Sequence, residues 1–86
     1  MSKSLYLIPK MTRVFVCDMD SKPEIDKWII DEGIEYEGGM MDVSLEVLTK
    51  LKKQTPSQSL KEHITHMINI AKAKGDSFVT LEICEE

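Results

Sequence analysis

Apolar positions fall into short runs and longer helical stripes along this chain. Leu5 to Ile8 is a continuous apolar run closed by Pro9, which predicts a buried strand. Arg13-Val14-Phe15-Val16-Cys17 is a second run, rich in β-branched and aromatic residues. The segment Pro9-Lys10-Met11-Thr12 between them has the length of a hairpin loop. After it, Ile25, Trp28 and Ile29 recur at helical spacing, so a helix is expected over 22–32. Ser21 and Glu24 have the spacing of a capping box, Pro23 suits a first turn, and Gly33 suits a helix end.

Ile34-Glu35-Tyr36-Glu37 alternates apolar and acidic residues, which predicts a short half-exposed strand ended by Gly38-Gly39. Val43, Val47, Leu48 and Leu51 then predict a second helix over 42–53, with Asp42 as its N-cap and Thr55-Pro56 as its break. A third helix is expected over 57–73, from the stripe Leu60, Ile64, Met67, Ile68 and Ala71, with Gly75 ending it. Residues 77–84 alternate, with Val79, Leu81 and Ile83 on one face and Phe78, Thr80, Glu82 and Cys84 on the other. The order β-β-α-β-α-α-β is not a strict alternation. It predicts an α+β fold, a small three- to four-stranded, mainly antiparallel sheet with three helices on one face. The 86 residues make one domain.

Composition fits an ordered globule, with 42% hydrophobic and 30% charged residues. No stretch approaches the ~20 apolar residues of a membrane span, and the N-terminal apolar run is too short for a secretion signal. A cytoplasmic protein is expected, with Cys17 and Cys84 as reduced thiols at strand ends.

Charge is more telling than its total of −4. Residues 18–46 hold ten acids against two bases, whereas residues 1–17 and 47–76 are net basic. A concentrated acidic surface attracts basic partners and repels nucleic acid. Lys50, Lys52 and Lys53 form only a small basic patch without interleaved aromatics, and Gly38-Gly39 lacks the Lys-Ser or Lys-Thr of a phosphate loop. His63 and His66 are helical neighbours without a further histidine to complete a metal set, and most of the six methionines read as core filling.

One short motif points to chemistry. The apolar strand ending in Cys17-Asp18-Met19-Asp20 resembles the first motif of haloacid-dehalogenase-type phosphatases. The resemblance implies Asp18 as nucleophile and Asp20 as general acid/base, beside magnesium. Here Ser21-Lys22-Pro23 follows, and the chain has no later Asp-Asp pair.

The leading expectation is therefore a small acidic non-enzymatic protein, without cofactor or metal, that binds and inhibits a basic protein partner. By size and charge it resembles immunity proteins, or phage-encoded antagonists, directed at a nuclease or another nucleic-acid-binding protein. Asp26, Asp31, Glu32, Glu35, Tyr36, Glu37 and Asp42 are its expected binding residues. Two alternatives stand beside it. One is a minimal magnesium-dependent, phosphatase-like hydrolase using Asp18 and Asp20. The other is a regulatory homodimer paired through the C-terminal strand, which carries few charges to block an edge.

Overall fold

The first two apolar runs pair as an antiparallel hairpin, β1 (Lys3–Leu7) with β2 (Val14–Asp18). The structure, a computed structural model, describes residues 2–9, 13–35 and 37–85. The register slips between Leu5 and Tyr6: Leu5 faces Cys17, yet Tyr6 faces Phe15. Val16 is the extra residue of a β-bulge, so consecutive Val16 and Cys17 are both buried while Phe15 turns outward beside Tyr6. The expected hairpin loop falls mostly on residues 10–12, outside the described set.

Helix α1 (Pro23–Asp31) buries Ile25, Trp28 and Ile29, as its spacing requires. The expected capping box does not form. Lys22 is the N-cap, without a side-chain cap bond. Ser21 Oγ donates instead to the Asp18 carbonyl at 3.3 Å, and Glu24 is taken by the Thr55 hydroxyl. Gly33 closes the helix at positive φ, with Ile34 N–H donating to the Ile29 carbonyl.

The third strand lies further along than its alternation suggested. Residues 34 and 35 are not in a strand, and β3 is Met40–Ser44. Met41 and Val43 face the core, whereas Asp42 points outward. Helix α2 (Leu45–Gln54) consequently starts after Ser44, whose hydroxyl accepts from Val47 N–H at 3.2 Å. Asp42 is a strand residue and not the N-cap, because a serine two positions on caps the turn while Met41 and Val43 complete the sheet's inner row. Helix α3 (Gln58–Lys74) buries Leu60, Ile64, Met67 and Ala71, and β4 (Phe78–Glu85) completes the chain.

The sheet order is β2-β1-β4-β3, all antiparallel. Together with three helices this is an α+β fold in the order β-β-α-β-α-α-β. α2 and α3 pack on the sheet, and α1 packs on α2. Leu5, Leu7, Met41, Val43, Val79 and Leu81 supply the sheet side of one core. Trp28, fully buried, donates its indole N–H to the Val47 carbonyl at 2.9 Å and so fixes α1 against α2.

The place of β4 in the sheet differs from the edge position that pairing with a second copy requires. β4 lies between β1 and β3, so the C-terminal strand has neighbours on both sides and is not an edge for pairing with a second copy. Cys17 and Cys84 are thiols not joined in a disulfide, one on the inner face of β2 and the other on the outer face of β4. With β1 between them their strands stand about 10 Å apart, beyond disulfide reach.

Candidate functional site

A tight turn organises the acidic end of the sheet. Glu37 and Met40 exchange backbone hydrogen bonds, 3.2 Å from Glu37 N–H to Met40 O and 3.0 Å in the other direction. Gly38 and Gly39 between them have φ of 59° and 82°. Positive φ at both central residues is what a type I′ turn demands, and glycine meets it without steric cost. The turn lies close against β4, with Ile83 N–H donating to the Gly39 carbonyl at 2.8 Å. It also covers part of the outer edge of β3, since Met40's groups are spent on Glu37.

This turn brings three of the expected binding residues together. Glu35, Glu37 and Asp42 line one open hollow with Met40 and Met41. Asp42 accepts from the Thr80 hydroxyl at 2.7 Å, which leaves its carboxylate anchored across the sheet. The other expected residues are placed differently. Glu32 receives Lys50 Nζ at 3.0 Å, an ion pair that also holds the Lys50 pKa up through hydrogen bonding and charge. Asp26 and Asp31 are exposed on α1 and do not line the hollow. Tyr36 lies outside the described residues.

The face of the sheet away from the helices is open. One row crosses all four strands: Phe15 opposite Tyr6, Tyr6 opposite Glu82, and Glu82 opposite Met40. Phe15 and Phe78 are 55% and 48% exposed, large areas for apolar side chains. Arg13 reaches over the row, its Nε 2.7 Å and Nη2 3.3 Å from the two carboxylate oxygens of Glu82. Its guanidinium carbon lies 5.9 Å from the centre of the Tyr6 ring, and that ring meets Phe15 edge to face at 5.7 Å. Met40 belongs both to this row and to the acidic hollow, so the two are continuous. The alternation of residues 77–84 already set Phe78, Thr80, Glu82 and Cys84 on this side. Arg13, Tyr6 and Phe15 were missed because their grouping depends on the bulge in β2.

A second concavity, about 370 Å³, lies between the C-terminal half of α3 and the start of β4. It is lined mainly by apolar groups such as Met67, Ile70 and Phe78, with Lys74 and Asp76 among them.

Asp18 ends β2 and Asp20 lies in the turn just after it, where the phosphatase resemblance puts them, but oxygens of both are engaged by backbone N–H groups. Asp18 Oδ1 accepts from Asp20 N–H at 3.0 Å, and Asp20 Oδ2 from Lys3 N–H at 3.3 Å. That is an Asx-type turn leading into α1. Among the described residues no group of three or more His, Cys, Asp or Glu side chains is placed to hold a metal ion. His63 and His66 are both exposed on α3. The Cys17 thiol, buried on the inner face, has its pKa pushed up to about 11, chiefly by desolvation.

No protein-family model, curated protein or solved structure matches this chain. Among the described residues no helix is long and apolar enough to cross a membrane.

Proposed function

We propose that the protein is a non-enzymatic, cytoplasmic binding protein that inhibits a basic protein partner, in the manner of an immunity protein or a phage-encoded antagonist of a nucleic-acid-binding enzyme. The observation that carries this reading is the hollow in which Glu35, Glu37 and Asp42 stand together around Met40 and Met41. Three carboxylates on one short turn and strand edge concentrate negative potential, which steers a basic surface toward them. The adaptable methionines give the same hollow apolar contact once the partner has docked. Occupation of a partner's basic groove would then exclude nucleic acid from it. The acidic working set narrows to Glu35, Glu37 and Asp42, with Asp26 and Asp31 contributing only long-range field.

An eight-residue peptide of alternating arginine and leucine tests the reading. Titrated into ¹⁵N-labelled protein, it is expected to shift the amides of Glu35, Glu37 and Met40 to Asp42. Its affinity should fall as salt rises from low to physiological strength, where the screening length shortens to about 8 Å. The double charge reversal Glu35→Lys and Glu37→Lys should lower that affinity by roughly tenfold or more. Equal affinity in the reversed protein at low salt would overturn the proposal.

A further inference from the structure

The acidic hollow describes where a basic partner is attracted, but not which cation the surface is shaped to read. The open sheet face supplies that. We infer that Glu82, Tyr6 and Phe15 form a guanidinium-recognition site, occupied in the free protein by Arg13 and taken over by an arginine of the partner on binding. This rests on the basic-partner reading and deepens it.

The geometry distinguishes the fixed part of the site from the removable part. Glu82 sits mid-strand in β4, flanked by Tyr6 and Met40 on the neighbouring strands, and its side chain is only 12% exposed. Arg13 precedes β2 and its side chain is 59% exposed. The carboxylate is thus built into the sheet, whereas the guanidinium reaches it from the solvent side. Two nitrogen–oxygen contacts from one guanidinium to one carboxylate match the planar fork of arginine, and an ammonium cannot reproduce them. The same guanidinium lies beside the Tyr6 ring, which Phe15 braces edge to face. An acid and an aromatic wall together select arginine over lysine.

The surroundings favour exchange. Met40 and Asp42 carry the face into the acidic hollow, so a partner steered there by charge arrives beside Glu82. Exposed Phe15 and Phe78 offer apolar surface to the residues that flank its arginine. Exchange of one Glu82–arginine pair for another leaves no carboxylate unpaired. The internal occupant lowers the apparent affinity for stray cations, since an incoming group must displace it.

The probe is Nα-acetyl-arginine amide, with Nα-acetyl-lysine amide as control, titrated by ¹⁵N NMR into the wild type, Arg13→Gln and Arg13→Gln/Glu82→Gln. In Arg13→Gln the arginine probe should shift the amides of Tyr6, Phe15 and Glu82. It should bind roughly tenfold tighter than to the wild type or than the lysine probe does, the effect of removing a competing occupant. Glu82→Gln in the same background should abolish the response. Arg13→Lys, which keeps the charge but loses the fork, should fall between the wild type and Arg13→Gln. The inference is overturned if Arg13→Gln binds the probe no better than the wild type, or if lysine serves equally well. At physiological salt, where the screening length is about 8 Å, Glu35→Lys/Glu37→Lys should weaken the Arg13→Gln response to the single amino acid by no more than a few-fold, against its loss in Glu82→Gln. If the probe fails while the arginine–leucine peptide still binds in a salt-dependent way, the guanidinium site falls and the acidic docking reading stands.

Discussion

Gly39→Ala is the sharpest test of how the acidic hollow is held. A Cβ built at Gly39 would lie 2.5 Å from the Ile83 carbonyl oxygen, which belongs to a central strand and cannot swing aside. The residue also sits at φ 82°, where an L side chain costs about 1–2 kcal/mol. Relief of the clash would stretch the bond from Ile83 N–H to the Gly39 carbonyl, worth about 1 kcal/mol. The expected loss is about 2–3 kcal/mol, against a total of roughly 4–13 kcal/mol for a domain of this size. Gly38→Ala is the control, since Gly38 has φ 59° but open space around its would-be Cβ. Both substitutions change the unfolded chain alike, so that contribution cancels in the comparison. Urea unfolding followed by the fluorescence of Trp28 should place Gly39→Ala at least about 1 kcal/mol below Gly38→Ala with an unchanged slope. If the two variants were equally stable, the close approach of the turn to β4 would not be what fixes Glu37 and Met40.

Three further outcomes are expected. Trp28→Phe, which keeps an aromatic ring but removes the donor to the Val47 carbonyl, should cost about 2 kcal/mol in urea unfolding followed by far-UV circular dichroism. Thr55 is buried, with its hydroxyl donating to Glu24 and accepting from Ser57 N–H, so Thr55→Val should cost about 1–3 kcal/mol, and Thr55→Ser should recover most of it. Cys17 keeps its proton in the folded state up to about pH 11, against an ordinary value of 9.0, so its contribution to stability is complete below pH 9 and is lost as pH rises toward 11. A thiol reagent at pH 8 should accordingly label Cys84 well before Cys17, and Cys17→Ala should flatten the alkaline decline in stability.

The sequence was most legible where one period governed a whole element. The stripe of α3 and the alternation of β4 survive intact because nothing competes with them over many residues. Residues 34–44 were harder. Ile34 to Glu37 alternates like a strand, but Ile34 and Glu35 lie outside the sheet and Glu37 makes a single bridge to Met40. Met41 and Val43 have a strand's spacing, yet Val43 also continues the helical stripe of Val47 and Leu51. Gly38-Gly39, read as a two-residue hairpin turn, would have resolved the choice. The strand order was not legible at all. Nothing local tells β4 to lie between β1 and β3; that follows from where the helices deliver the chain. The acidic segment was visible as composition, but its division was not. Lys50 removes Glu32 from it, and the turn at Gly38-Gly39 gathers Glu35, Glu37 and Asp42.

The central position of β4 bears on how the molecule is made. β1 and β3 meet only through β4, and Lys3 finds its partner in Glu85. The four-stranded sheet therefore cannot close until β4 has paired on both sides. Before then, the core around Leu48, Leu51, Ile64 and Met67 lacks Val79 and Leu81. Pairings so distant in sequence slow folding, because a long loop must close before any contact rewards it.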